Sequence, residues 1–266
     1  MASSDVIRLY DLTRNIEDLA ARPYSSNILR TRLVHPLYHL RAPLTHSLLR
    51  LALNIKGIAY KTVWLSAADI EPEAIKAGAL PTSERAGKPV YTVPFVVDPS
   101  TGRAVSDSPK IAAYLDAQYP DTPTLGPSGS EAEVHAVELA GKVLGALRAL
   151  FFTAVGPTLP QPTWAHIYKR FGAELEKLDS GPESRDAAIA AALQALAGIK
   201  GQVGRGPFIG GRQPSWADTM LAGNLWSLRI AFGEGSEIWK AIVEAHGGRW
   251  GAYMREFEER GWFSVA

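Results

Sequence analysis

The stretch Pro120 to Ser130 (PDTPTLGPSGS) divides the chain into two parts that follow different hydrophobic periods. Proline and glycine at this density interrupt both helices and strands, so the tract marks a domain boundary. Before it, β-rich runs occur at Val6 to Leu12, Tyr60 to Leu65 and Tyr91 to Asp98. The last run meets the turn Pro99-Ser100-Thr101-Gly102 and then Arg103-Ala104-Val105, which predicts a hairpin. Helical spacing covers Leu48 to Lys56, ended by Gly57, and Ser108 to Gln118, ended before Pro120. Strand, helix, strand, helix, hairpin, helix is a small α/β layer architecture.

After the tract only helical spacing remains. Val134, Val137, Val143 or Leu144, Leu147 and Phe151 recur at three or four residues, and Trp164 to Leu178 and Ile189 to Ile199 behave alike. Further stripes run through Ala217, Leu221, Leu225 and Leu228, and through Trp250, Tyr253, Met254 and Phe257. The predicted fold is thus an α/β domain over 1–120 followed by an all-α domain over 131–266.

Charge and composition narrow the function. With 28 basic and 27 acidic side chains, the chain lacks the basic excess of a nucleic-acid binder. It has no cysteine, which removes disulfides, thiolate metal sites and protein-thiol nucleophiles. No uncharged apolar run reaches transmembrane length and the N-terminus has no signal-peptide pattern, so a soluble cytoplasmic protein is expected.

Two neighbouring motifs carry the chemistry. In Thr92-Val93-Pro94-Phe95 a proline interrupts a strand, where it cannot donate to the ladder. A cis bond there would turn the Val93 backbone outward to grip a peptide-like ligand, and a plain trans edge proline is the other reading. About a dozen residues on, Ser106-Asp107-Ser108-Pro109 opens an apolar helix, with Asp107 or Ser108 as N-cap and Pro109 at the first helical position. Its free N–H groups either are simply capped or hold a ligand carboxylate.

Together with FIGGRQPSWADT (Phe208 to Thr219), where Ser215 and Asp218 have capping-box spacing, these motifs resemble the cytosolic glutathione transferases. More narrowly, VIRLYDL, LALNIKGIAYKTVWL and YTVPFVVDPSTG are similar to the fungal class related to bacterial β-etherases. The resemblance implies a thioredoxin-like domain, then a helical bundle domain, a homodimer, and glutathione as co-substrate with no other cofactor and no metal. It implies that Val93 beside cis-Pro94 pairs with the cysteinyl backbone of glutathione. Asp107 and Ser108 would hold the γ-glutamyl end and Lys88 the glycyl carboxylate. Tyr24-Ser25-Ser26-Asn27 matches the family's Ser-Pro-Asn loop with Ser26 in place of proline, which makes Ser25 the thiolate's hydrogen-bond donor and Asn27 a second donor or cap. Ser25 and Ser26 as mere helix caps are the alternative.

One feature departs from the family. The helix pattern NxxxTRLALNxKG begins at Asn27 to Arg32 and resumes at Leu51 to Gly57, with 18 residues between, Leu33 to Arg50 (LVHPLYHLRAPLTHSLLR). Removing them restores NILRTRLALNIKG, and possible codons at Arg32-Leu33 and Arg50 allow a retained intron or a gene-prediction artefact. His35 and His39 in this segment have i,i+4 spacing, but Pro36 opposes a regular helix and no carboxylate lies nearby, so no metal site is expected.

The function expected is transfer of glutathione to a small electrophilic or aromatic compound, a detoxification chemistry. The alternative is a non-catalytic binder of aromatic or polyphenolic ligands, and a weaker third reading is a scaffold. Trp164, Tyr168, Phe151 and Phe152 either line an aromatic acceptor pocket or pack in the core. The Gly201 to Gly206 run follows a helix rather than a strand, which argues against a nucleotide loop.

Overall fold

The computed structural model describes residues 6–12, 47–126, 128–159, 161–178, 182–201 and 206–264. Ser25, Ser26, Asn27 and most of the Leu33 to Arg50 segment, including all three of its histidines, lie outside the described residues. The first part is a thioredoxin-like domain. Strand β1 (Ile7–Leu12) runs parallel to β2 (Tyr60–Leu65) and antiparallel to β5 (Phe95–Asp98), which pairs with β6 (Arg103–Ser106), giving the order β2-β1-β5-β6. The short strands β3 (Ser83–Arg85) and β4 (Lys88–Val90) form a separate hairpin.

Helix α1 (Ser47–Lys56) and α3 (Ser108–Gln118) cover one face of the sheet, burying Leu49, Leu53, Ile111 and Leu115 against Ile7, Leu9 and Val96. On the other face α2 (Ile70–Ala77) packs Ala74 near Tyr10, Phe95 and Val97, and the Tyr10 and Phe95 rings stack 4.3 Å apart. Alternation explains the division: Leu9 and Tyr10 are successive residues and point to opposite faces.

Helix α3 spans the bounds that its spacing predicts, and the hairpin forms at Pro99 to Gly102. The run Tyr91 to Asp98 is only half strand, because Pro94 cannot enter the ladder and β5 starts after it. Ser47–Arg50, the end of the segment read as inserted, forms the first turn of α1.

Among the described residues, five α-helices follow the linker: α4 (Glu131–Val155), α5 (Gln161–Leu178), α6 (Pro182–Lys200), α7 (Trp216–Phe232) and α8 (Glu237–Glu259). Helix α8 is broken at Ala245 to Gly248, where His246, Gly247 and Gly248 all have positive φ. Leu147, Phe151, Leu196, Leu221, Leu225, Leu228, Trp250, Tyr253 and Phe257 form one core. Val134 heads its predicted stripe yet is exposed, since a 25-residue helix extends beyond the partners that cover its middle. The capping box is present: Asp218 accepts from the Ser215 amide at 2.8 Å and also from the Ile209 and Gly210 amides and the Tyr253 hydroxyl. No helix among the described residues is long and apolar enough to cross a membrane.

Candidate active site

The pairing Phe95↔Ser106 brings the residues just before β5 beside those just after β6. Val93 and Pro94 therefore stand next to Asp107 and Ser108 at one end of the sheet. The Val93–Pro94 peptide bond is cis, and Val93 lies outside the ladder, whose register begins at Phe95.

Asp107 is the N-cap of α3, with φ 77° and ψ 115°, a conformation that a residue with a β-carbon rarely adopts. Its carbonyl accepts from the Ile111 amide at 2.8 Å, but its side chain makes no capping hydrogen bond. The carboxylate lies instead 3.6 Å from the Lys110 ammonium at an exposed position. Ser108 is the first helical residue, so Pro109 is second rather than first as the spacing suggested. This end thus combines a strained acidic residue, a helix start without a side-chain cap and a backbone segment outside the ladder. It suits a ligand with both amide and carboxylate groups. Lys88 is exposed on the β3–β4 hairpin, opposite Arg85 in register.

Sequence reasoning gave no role to the polar cluster at the other end of the hairpin. Asp98 is buried and accepts from Ser100 (amide 2.9 Å, hydroxyl 2.6 Å), the Tyr114 hydroxyl (2.7 Å) and the Tyr119 hydroxyl (2.9 Å). Burial raises the Asp98 pKa, but these hydrogen bonds outweigh it and hold the carboxyl below its usual range. Burial and the Asp98 carboxylate push Tyr119 up to about 12. The cluster ties the hairpin turn to the C-terminal half of α3. Two tyrosines five residues apart, Tyr114 on α3 and Tyr119 capping its end, following an aspartate at a strand end, were the available signal.

The aromatic candidates divide. Phe151 and Phe152 are buried, and Trp164 packs against the helical core so closely that a β-carbon on Gly156 would stand 2.6 Å from its ring. Only Tyr168 is open to solvent, at 44% exposure. Among the described residues no group of three metal-ligating side chains forms.

Comparison with known proteins decides the family. Residues 48–118 match the glutathione S-transferase N-terminal domain and residues 138–260 the glutathione S-transferase C-terminal domain. The chain belongs to the glutathione S-transferase family. It is an enzyme with glutathione as co-substrate, and solved fungal transferases share its fold along nearly its whole length. The glutathione complex of CsGST63524 from Ceriporiopsis subvermispora is 28% identical with a TM-score of 0.79, covering 98% of each chain. GSTFuA2 from Phanerochaete chrysosporium is 31% identical with a TM-score of 0.73, covering 96% of this chain and 98% of its own. A curated relative, the glutathione S-transferase-like protein ustS of Aspergillus flavus, is 29% identical over 91% of this chain and 87% of its own length. In this transferase the N-terminal match starts inside α1, so Leu48 to Arg50 fall within the family pattern.

Proposed function

We propose that this transferase lays glutathione along the sheet end formed by Val93, Pro94, Asp107 and Ser108, and joins its sulfur to a small electrophilic or aromatic acceptor. The observation that supports this reading is Asp107, held at φ 77° beside the helix start and the Val93 backbone. Val93 would exchange backbone hydrogen bonds with the cysteinyl residue. Asp107 and the α3 start would take the γ-glutamyl ammonium and carboxylate, and Lys88 would reach the glycyl carboxylate. Ser25 would donate to the sulfur, with Asn27 as second donor or cap.

The energetics are within reach of these groups. A thiol of pKa ~8.5 is nucleophilic only as thiolate, and lowering that value by about two units takes roughly 2.7 kcal/mol. One hydrogen bond to a charged acceptor supplies about 1.5–3 kcal/mol, and a helix N-terminus adds about 0.3–1 kcal/mol. The thiolate attacks the electrophilic carbon, whose leaving group departs with the bonding pair, or whose adjacent unsaturated atom takes the electrons and then a proton.

The domain division 1–120 and 131–266, with an insertion near 33–50, belongs to the same reading. So does a homodimer, which the family resemblance implies. A cytoplasmic location fits a reduced-thiol co-substrate.

The test compares the full chain with one lacking Leu33 to Arg50, in which Arg32 takes the place of Arg50 before Leu51, using calorimetry with glutathione and conjugation of 1-chloro-2,4-dinitrobenzene and phenethyl isothiocyanate. Turnover that falls at least tenfold in Ser25→Ala, with glutathione still bound, is the expected result. A folded protein that binds no glutathione in either form would remove this assignment of the glutathione site.

A further inference from the structure

Helix α1 faces two ways, and its first turn carries a buried charge. The Arg50 guanidinium donates to Asp11 Oδ2 at 2.8 Å and to Thr62 Oγ1 at 2.6 Å, and lies 4.5 Å from the centre of the Trp64 ring. The Arg50 and Asp11 side chains are 4% and 0% exposed. Burying an ion pair costs nearly what the attraction returns, and a well-packed apolar pair often serves stability equally well, so stability alone is a weak reason for it.

Its position offers a better reason. The register Tyr10↔Phe95 leaves Asp11 one residue further along β1 and Pro94 one residue before β5, so Asp11 stands next to the Pro94 end of the sheet. Arg50 thus links α1 to β1 and β2 at the edge where Val93 and Pro94 begin. From the other side, α7 meets the same turn at Gly223, where a β-carbon would come within 3.0 Å of the Leu48 nitrogen and 3.1 Å of its Cα. A β-carbon there would be tighter than ordinary van der Waals contact, so α1 would have to give by a few tenths of an ångström.

We propose that Arg50 is a positioning residue: through Asp11 and Thr62 it sets α1 against the Pro94 edge, while Gly223 sets the helical half against that same turn, so this joint fixes the spacing between the glutathione-holding edge and the helical half, on which the acceptor would lie. The proposal rests on the reading of the Val93–Ser108 end as the glutathione site.

The test uses the full chain and three variants: Arg50→Lys, the double Asp11→Leu/Arg50→Met, and Gly223→Ala. Lysine keeps the charge but cannot span Asp11 and Thr62 as the planar fork does. For each variant, amide exchange over Val93 to Asp98 is measured without ligand, together with the melting midpoint, kcat, and separate KM values for glutathione and 1-chloro-2,4-dinitrobenzene. The double variant should melt near the parent, yet exchange at least tenfold faster over Val93 to Asp98 and show a glutathione KM at least fivefold higher. Gly223→Ala should keep the glutathione KM within twofold and raise the acceptor KM at least threefold. A merely structural pair would move the midpoint and leave both KM values in place. Parent-like exchange and KM in the double variant would overturn the proposal, and if that variant fails to fold, the same two readouts in Arg50→Lys decide. A parent chain that binds no glutathione would sink the site assignment instead, while the exchange measurement still judges Arg50.

Discussion

At the scale of single residues, Asp107 and Asp98 show two uses of one side chain on one hairpin. Asp107 occupies a backbone conformation suited to glycine, yet keeps its carboxylate uncommitted to capping. Replacing it with glycine should relieve strain and raise stability by about 1 kcal/mol, measured by denaturant unfolding. The same change should raise the glutathione KM at least tenfold, because the acidic group is gone. Asp98, by contrast, is committed to hydroxyl donors, and Tyr119 is held in its protonated form. A folded-state pKa above the unfolded value of roughly 10 means that Tyr119 contributes its full stabilisation below that pH. The contribution fades as pH rises through about 12. Stability measured between these limits should therefore fall less steeply in Tyr119→Phe than in the parent chain.

At the scale of elements, the capping box at the start of α7 gathers three backbone amides, a serine and a tyrosine hydroxyl on one buried carboxylate. Asp218→Asn turns one acceptor oxygen into a donor facing other donors. It should cost about 2–3 kcal/mol in unfolding experiments, with Ser215→Ala costing about 1 kcal/mol. The box was legible because capping depends on neighbours three residues apart, and α3 and the hairpin were legible for the same local reason. Strand β5 was overextended because alternation over Tyr91 to Asp98 reads the same on both sides of Pro94. Helix α2 and the β3–β4 hairpin have weak patterns, with Ala74 alone fully buried in α2 and all of β3 exposed. Of the site, Val93, Pro94, Asp107 and Ser108 could be read as neighbours once the hairpin was recognised. The Asp11–Arg50 pair could not, since its partners are 39 residues apart and only tertiary packing brings them together.

At the scale of the whole molecule, α1 divides its apolar residues between two cores. Leu49 and Leu53 pack with the sheet and α3, whereas Leu51, Ala52 and Ile55 belong to the helical core. The Asn54 amide adds hydrogen bonds to the Trp262 and Ser264 carbonyls near the end of the chain. The linker at Pro120 to Ser130 therefore separates two stretches of sequence without separating two independent folding units. Cut there, the N-terminal piece would present Leu51, Ala52 and Ile55 to water, and the C-terminal piece would lose the cover over Leu221 and Leu225. Each piece alone should be poorly soluble and lack a sharp melting transition, whereas mixing the two should restore near-native circular dichroism and glutathione binding. A chain whose surface grammar announces two domains would then behave as a pair of complementing fragments, with one helix as the shared property of both.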